Sequence, residues 1–321
     1  MQSVRIIPAL KGLRYFATTT MRQAVSEFQV TVPWGEIRGQ VWGPAHGRPV
    51  LCLHGWADNS GTFNRLIPLL PNDWRFVAID FPGHGLSSHR SAGCFYSFTL
   101  YVADVRRVVE ALQWKRFSII GHSMGGNVAG MFSALYPEMV EALVLLDSYG
   151  FFPTKLNSVM DYIKQGIIHQ VEYDTELNER TEKVYTYEKA KERLMVANPS
   201  LSEESTEILL ERAIREVKGG VLFNRDFRIN LRNIAMVTPE QCLYMQSLIQ
   251  ARVMLLLASE GMNKHFSPPD GDALQKGWME RKSTIVEVEG DHHVHLNKPE
   301  KVAPVITDFL QSHSPKQQAK L

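Results

Sequence analysis

The chain has 321 residues, of which 44% are hydrophobic and 21% are charged, and its formal net charge is +1. These values are typical of a globular protein and exclude a disordered chain, a collagen-like repeat and a coiled coil. The balanced charge provides no basic field for phosphates, so no nucleic-acid partner is expected. The apolar runs are too short for a transmembrane segment.

The first 26 residues form a basic N-terminal extension. They contain four lysines and arginines and no acidic residue, because Glu27 is the first acid in the chain. A basic, hydroxylated and acid-poor composition is typical of an organelle transit peptide, and it fits a loose terminal extension equally well.

Strands and helices alternate through residues 27–150. Short apolar runs rich in β-formers predict strands, and apolar residues at helical spacing predict helices between them. This alternation indicates an α/β protein with a parallel, doubly wound sheet. The predicted strands cover residues 28–32, 37–42, 50–53, 76–79, 117–120, 142–146, 252–257 and 284–289, and the last two lie in residues 248–312.

The alternation stops after Asp147, and residues 151–247 are richer in charge and in helix formers. Residues 179–198 and 202–218 are predicted to be amphipathic helices. About a hundred residues therefore interrupt the sheet between its later strands.

A candidate nucleophile, Ser123, lies in the segment Gly121-His122-Ser123-Met124-Gly125. The segment follows a predicted strand and precedes a predicted helix, as a nucleophile elbow requires. A serine hydroxyl is a poor nucleophile at neutral pH and must be presented to a base in a strained, exposed turn. The N–H of Met124, at the start of the helix, is expected to point at a developing oxyanion.

Two further loops follow strands at the same predicted edge of the sheet. In His54-Gly55-Trp56 the backbone N–H of Trp56 is expected to be the second oxyanion donor. In the segment that begins Asp80-Phe81-Pro82-Gly83-His84, the acid and the histidine are expected to hold the loop. His54 is likewise expected to be structural.

The base is expected after the last strand, where the chain reads Asp291-His292-His293-Val294-His295-Leu296. The pattern His-x-x-His-Leu selects His292 as the base and His295 as a packing neighbour. A metal site built from this loop is disfavoured, because residues so close in sequence rarely complete a tetrahedron alone. No metal and no cofactor is therefore expected.

Together these motifs resemble the α/β-hydrolase fold family from about residue 32 to residue 311. Within the family the chain is most similar to the serine hydrolase-like proteins, through Val32-Pro33-Trp34-Gly35, Leu51-Cys52-Leu53-His54-Gly55-Trp56 and Asn224-Arg225-Asp226. The resemblance implies a mostly parallel eight-stranded sheet flanked by helices, with residues 151–247 as a helical lid.

Two carboxylates compete for the role of the acid. In the resembled family most acids follow the seventh strand, which favours Glu260, but Met262 stands where the acid of that turn would be. Asp147 ends the sixth strand, where some α/β-hydrolases place the acid. We favour Asp147, because its carboxylate can reach His292 without relocating the missing turn.

These residues predict a serine hydrolase that cleaves a small carboxylic ester or thioester through an acyl-enzyme. Ser123 would attack the carbonyl, His292 would accept its proton, and Met124 and Trp56 would hold the oxyanion. The alternative is an inactive relative that binds a ligand or regulates a partner, because a fold does not settle function. The sequence does not determine the oligomeric state.

The C-terminal tail, residues 313–321, ends in Ala319-Lys320-Leu321. This tripeptide is a variant of the Ser-Lys-Leu peroxisomal signal. We therefore predict a peroxisomal and cytoplasmic location, with the mitochondrion as the alternative that the basic N-terminus favours.

Overall fold

The computed structural model describes residues 4–8, 25–176, 182–262 and 268–312. Most of the basic extension and the whole tail with its C-terminal tripeptide lie outside the described residues. Both targeting interpretations therefore stay predictions. None of the described helices has the length and apolar character that a membrane span requires.

A nine-stranded sheet is formed by the described residues, in the order β1-β2-β3-β5-β4-β6-β7-β10-β11. The strands from β5 to β11 in this order pair in parallel, whereas β1, β2 and β3 pair antiparallel. Eight strands match the expected core, and the N-terminal segment adds the ninth at one edge. The strands are β1 (Val4–Pro8), β2 (Ser26–Val32), β3 (Gly35–Trp42), β4 (Arg48–Leu53), β5 (Trp74–Ile79), β6 (Phe117–His122), β7 (Val140–Leu146), β10 (Arg252–Glu260) and β11 (Thr284–Asp291), with β8 (Ile214–Val217) and β9 (Gly220–Phe223) in a separate hairpin.

Helices cover both faces of the sheet, and each face has its own apolar core. Alternate residues of a strand point to opposite faces, so Leu51 and Leu53 enter one core while Val50 and Cys52 enter the other. This explains why the central strands are continuous apolar runs. The helices are α1 (Phe98–Ala111), α2 (Met124–Leu135), α3 (Leu156–Glu176), α4 (Tyr187–Ala197), α5 (Glu203–Ala213), α6 (Pro239–Leu248), α7 (Pro268–Glu280), α8 (Val294–Asn297) and α9 (Ala303–Gln311).

The segment between β7 and β10 contains α3 to α6 and the β8–β9 hairpin. The helix predicted over residues 202–218 is wrong in its last five residues, because α5 ends at Ala213 and the chain continues as β8. Gly219, at a φ of 93°, forms the hairpin turn in a conformation that favours glycine. The helix predicted over residues 179–198 begins only at Tyr187 among the described residues.

A buried ion pair attaches this segment to the sheet. The Arg212 guanidinium, near the end of α5, donates to Asp80 Oδ2 at 2.8 Å and to Glu27 Oε1 at 2.7 Å. Burial alone would raise the pKa of Asp80, but the pairing with Arg212 outweighs it and holds that pKa below its ordinary value. Asp80 also accepts the N–H groups of Ser60 and Leu86, so it holds its loop as the sequence predicts.

We expect Arg212→Met to destabilise the protein by about 3–5 kcal/mol, because it would leave the buried Asp80 carboxylate without its cation. Urea denaturation followed by circular dichroism measures the free energy of unfolding. Arg215→Met is the matched control, since Arg215 forms an exposed pair with Glu182 and should cost less than about 1 kcal/mol. Equal losses in the two variants would contradict this account.

Candidate active site

Ser123 occupies a strained turn between β6 and α2. Its φ is 51° and its ψ is −116°, a conformation that a residue with a side chain rarely adopts. The turn is possible because Gly125 packs tightly on the end of β4, where an added Cβ would lie 2.1 Å from the Leu53 carbonyl oxygen. The partly exposed Ser123 side chain thus stands at the start of α2, at the carboxyl edge of the sheet.

The two expected oxyanion donors lie in the elbow and in the loop that packs against it. The same Cβ at Gly125 would lie 2.6 Å from the His54 carbonyl oxygen, so this loop contacts the start of α2. Among the described residues, neither the Trp56 N–H nor the Met124 N–H donates a backbone hydrogen bond. Both N–H groups are therefore available to a ligand, as an oxyanion site requires.

His292 and Asp147 are brought together at the same edge. His292 Nδ1 lies 2.5 Å from Asp147 Oδ2, in a contact between a partly exposed ring and a buried carboxylate. Because a carboxylate accepts, Nδ1 carries the hydrogen and Nε2 keeps its lone pair. This is the orientation that a general base needs.

The end of β10 and the turn after it hold the Asp147 carboxylate with backbone groups. Oδ1 accepts the Ala258 N–H at 3.0 Å, and Oδ2 accepts the Met262 N–H at 2.7 Å. Gly261 leaves room for this approach, since an added Cβ would lie 2.3 Å from both carboxylate oxygens. The turn therefore supplies an N–H donor, that of Met262, where the resembled family most often supplies the acid. Glu260, the competing acid, has an exposed side chain.

The Ser123 hydroxyl donates to Met262 Sδ at 3.7 Å, and no hydrogen bond joins it to His292 in this structure. Met262 is the residue that stands, in sequence, where the resembled family most often has the acid. Thioethers are weak acceptors, and catalytic hydrogen bonds often form only when substrate binds. The contact does not fix the hydroxyl in a competing arrangement.

The remaining histidines of the motifs are buried in structural contacts. His54 Nδ1 donates to the Gly55 carbonyl and its Nε2 accepts the Phe81 N–H, as expected of a structural residue. Burial lowers the pKa of His84 to about 3, so this ring stays neutral. His295 Nε2 contacts Thr62 Oγ1 at 2.8 Å.

A buried acid that the sequence analysis did not identify, Asp58, lies among the histidines next to the catalytic candidates. Its Oδ2 is 3.3 Å from His293 Nε2 and 3.7 Å from His122 Nδ1. Burial and the neighbouring imidazoles hold the pKa of His122 well below its ordinary value. No motif indicates Asp58, and only its position after the Trp56 loop places it near this edge of the sheet.

Known proteins resemble this chain over most of its length. A family profile described as alpha/beta hydrolase fold matches residues 48–184. A serine hydrolase-like protein of Danio rerio is 70% identical over 314 residues, which cover 97% of this chain and 96% of that protein. Serine hydrolase-like protein 2 of Homo sapiens is 40% identical over 298 residues, covering 89% of this chain and 94% of that protein.

Two solved structures also share the fold of this chain over most of its length. A hypothetical protein from Pseudomonas aeruginosa PAO1 matches with a TM-score of 0.79 at 32% identity, covering 88% of this chain and 99% of that one. The thioesterase domain from the curacin biosynthetic pathway matches with a TM-score of 0.74 at 26% identity, with the same two coverages of 88% and 99%. The chain therefore belongs to the α/β-hydrolase fold family and, within it, to the serine hydrolase-like proteins. This confirms the resemblance read from the motifs, and it supports a hydrolase.

We expect Asp147→Asn to lower hydrolytic turnover by up to about 10⁴-fold, because the amide keeps the shape but no longer orients His292 or stabilises its cation. Turnover of an activated ester such as p-nitrophenyl acetate is the measurement. Glu260→Gln is the matched control and should retain near-normal turnover. Loss of turnover in Glu260→Gln alone would identify Glu260 as the acid.

Proposed function

We propose that the protein is a serine hydrolase that cleaves carboxylic esters or thioesters. The observation that carries the proposal is the Asp147–His292 contact of 2.5 Å at the edge of the sheet where the elbow presents Ser123. The likeness to a thioesterase domain favours acyl substrates that include thioesters.

The mechanism is a two-step acyl transfer that needs only residues of this chain. Ser123 Oγ attacks the carbonyl carbon while His292 Nε2 takes the hydroxyl proton, and the imidazolium is stabilised by Asp147. The N–H groups of Trp56 and Met124 donate to the oxyanion. His292 then protonates the leaving alcohol or thiol, and water attacks the acyl-enzyme with His292 again as base.

The segment over residues 151–247 acts as the lid of this site. The Trp56 side chain is 54% exposed, and its Nε1 donates to the Ile229 carbonyl of the segment at 3.0 Å. Trp56 therefore joins the expected oxyanion loop to the segment. Segments of this kind exclude water and select substrates by the space that they leave.

We expect a fluorophosphonate probe to label the wild-type protein covalently and Ser123→Ala to abolish that labelling. The variant should also lower turnover of p-nitrophenyl esters and acyl thioesters by at least about 10³-fold, because no nucleophile remains. Labelling is read by gel fluorescence and the modified residue by mass spectrometry.

Equal labelling of wild type and Ser123→Ala would place the nucleophile elsewhere. Absence of labelling and turnover in the folded wild type would favour the alternative of an inactive relative that binds a ligand. Circular dichroism establishes in each case that the protein is folded.

We expect Trp56→Phe to change the ratio of kcat/KM between long-chain and short-chain acyl esters by about fivefold. The reason is the loss of one hydrogen bond, worth about 1 kcal/mol, between the oxyanion loop and the lid. The backbone N–H remains, so the rate of fluorophosphonate labelling should not change.

Trp34→Phe is the matched control, because the buried Nε1 of Trp34 has no hydrogen-bond partner in the described part of the chain. If chain-length preference stayed unchanged in Trp56→Phe, the lid would not select acyl length through this contact.

A further inference from the structure

Three buried ligand-type side chains converge behind the candidate catalytic residues. Asp58 comes from the loop after β4, His122 from the end of β6, and His293 from the loop after β11. One ligand atom of each lies within 4.8 Å of those of the other two. They are brought together only by the fold, since Asp58 and His293 are 235 residues apart in the chain.

The hydrogen bonds of His122 leave a lone pair facing a carboxylate. His122 Nε2 is 2.9 Å from the backbone carbonyl oxygen of His292 and must donate, because that oxygen can only accept. Nδ1 of this neutral ring therefore carries a lone pair, and it is buried without a hydrogen-bond partner. Its nearest charged atom is Asp58 Oδ2, 3.7 Å away. Two electron-rich atoms at this distance repel each other unless a cation lies between them.

The buried Asp58 carboxylate also needs a positive charge close to it. The ring nitrogens that face this carboxylate are His293 Nε2 at 3.3 Å and His122 Nδ1 at 3.7 Å. In the part of the chain that the structure describes, no lysine or arginine forms an ion pair with Asp58. A buried carboxylate is stable only when it is paired or when it coordinates a metal.

We propose that Asp58 Oδ2, His122 Nδ1 and His293 Nε2 bind one divalent transition-metal ion, of which Zn²⁺ is the type. Zinc takes nitrogen and oxygen ligands at about 2.0–2.2 Å in a tetrahedron, whose edges are then about 3.3–3.6 Å. The two measured separations from Asp58 Oδ2, 3.3 Å and 3.7 Å, are close to that edge.

The outer contact of His122 is the one that a metal ligand uses. Metal-binding histidines commonly donate their other ring N–H to a carboxylate or a backbone carbonyl, which fixes the tautomer and the ring orientation. His122 makes this contact with His292, so it already has its coordinating nitrogen bare. The ion would connect the Trp56 loop, the elbow and the His292 loop from behind. It takes no part in the acyl transfer.

The competing explanation is that a proton on His293, and not a metal ion, supplies the positive charge beside Asp58. In that explanation His293 is an imidazolium paired with Asp58, whose Oδ2 lies 3.3 Å from His293 Nε2. That pair, however, leaves the His122 lone pair facing the carboxylate without a hydrogen between them. The two explanations differ in whether a metal binds.

The test uses the full chain, freed of metal with a chelator and titrated with Co²⁺. We expect one ion per chain, visible absorption of tetrahedral Co²⁺, displacement by Zn²⁺ and a rise in the Tm of the metal-free protein. Loss of even an outer partner of a metal ligand lowers affinity by about 10–100-fold, so Asp58→Asn should lose at least about 100-fold. His46→Asn, which removes an exposed histidine, should bind as the wild type does.

A crystal of the wild type with Zn²⁺, measured at the zinc absorption edge, provides a test that does not depend on any variant folding. An anomalous peak between the three side chains supports the site. A folded wild type with no stoichiometric Co²⁺ or Zn²⁺ binding, a peak elsewhere, or unchanged affinity in folded Asp58→Asn would overturn the proposal. None of these measurements requires the protein to be active.

Discussion

The geometry of the candidate active site depends on one buried carboxylate. Asp147 ends β7, and it accepts two backbone N–H groups from β10 and the turn that follows, as well as the Nδ1–H of His292 after β11. These three strands are neighbours in the sheet, so a single side chain can join their ends. Because hydrogen bonds to an ionised group are stronger than neutral ones, the carboxylate fixes both the turn and the imidazole. Gly261 is required for this arrangement, since any side chain there would displace the carboxylate.

The segment between β7 and β10 is joined to the sheet by polar contacts as well as by packing. Arg212 neutralises Asp80 in the interior, and Asp226 accepts the Tyr96 hydroxyl while its own N–H donates to the Gly83 carbonyl. Both contacts end in the loop after β5, which lies beside the site. A buried ion pair is costly to break because the remaining charge is stranded. Variants of this loop are therefore expected to change both the position of the proposed lid and the stability of the core.

Two histidines at the site differ in which ring nitrogen carries the hydrogen, and they have different roles. His292 carries its hydrogen on Nδ1 and is the candidate base, whereas His122 carries its hydrogen on Nε2 and donates to the backbone of His292. The centroids of the two imidazole rings lie 4.6 Å apart. His122 holds the backbone of His292 through its hydrogen bond to the His292 carbonyl oxygen. The Asp58 carboxylate behind them favours a cation, and the proposed metal ion would satisfy it without entering the reaction.

The sequence by itself determined the class of fold, the nucleophile elbow and the position of the candidate base. Alternation of apolar strands and helices, and glycines around Ser123, are local signals that a chain carries regardless of its neighbours. The sequence also predicted a helix through residues 214–217, and this was wrong. These residues form a strand that pairs with Gly220–Phe223, although their apolar spacing is helical. Only the tertiary structure placed the Asp147 carboxylate against His292, because chain order is the same for both competing acids and the contact rests on the register of β7, β10 and β11. Only the tertiary structure placed Asp58 beside His122 and His293, because contacts across the carboxyl edge of a sheet leave no periodic trace in the sequence.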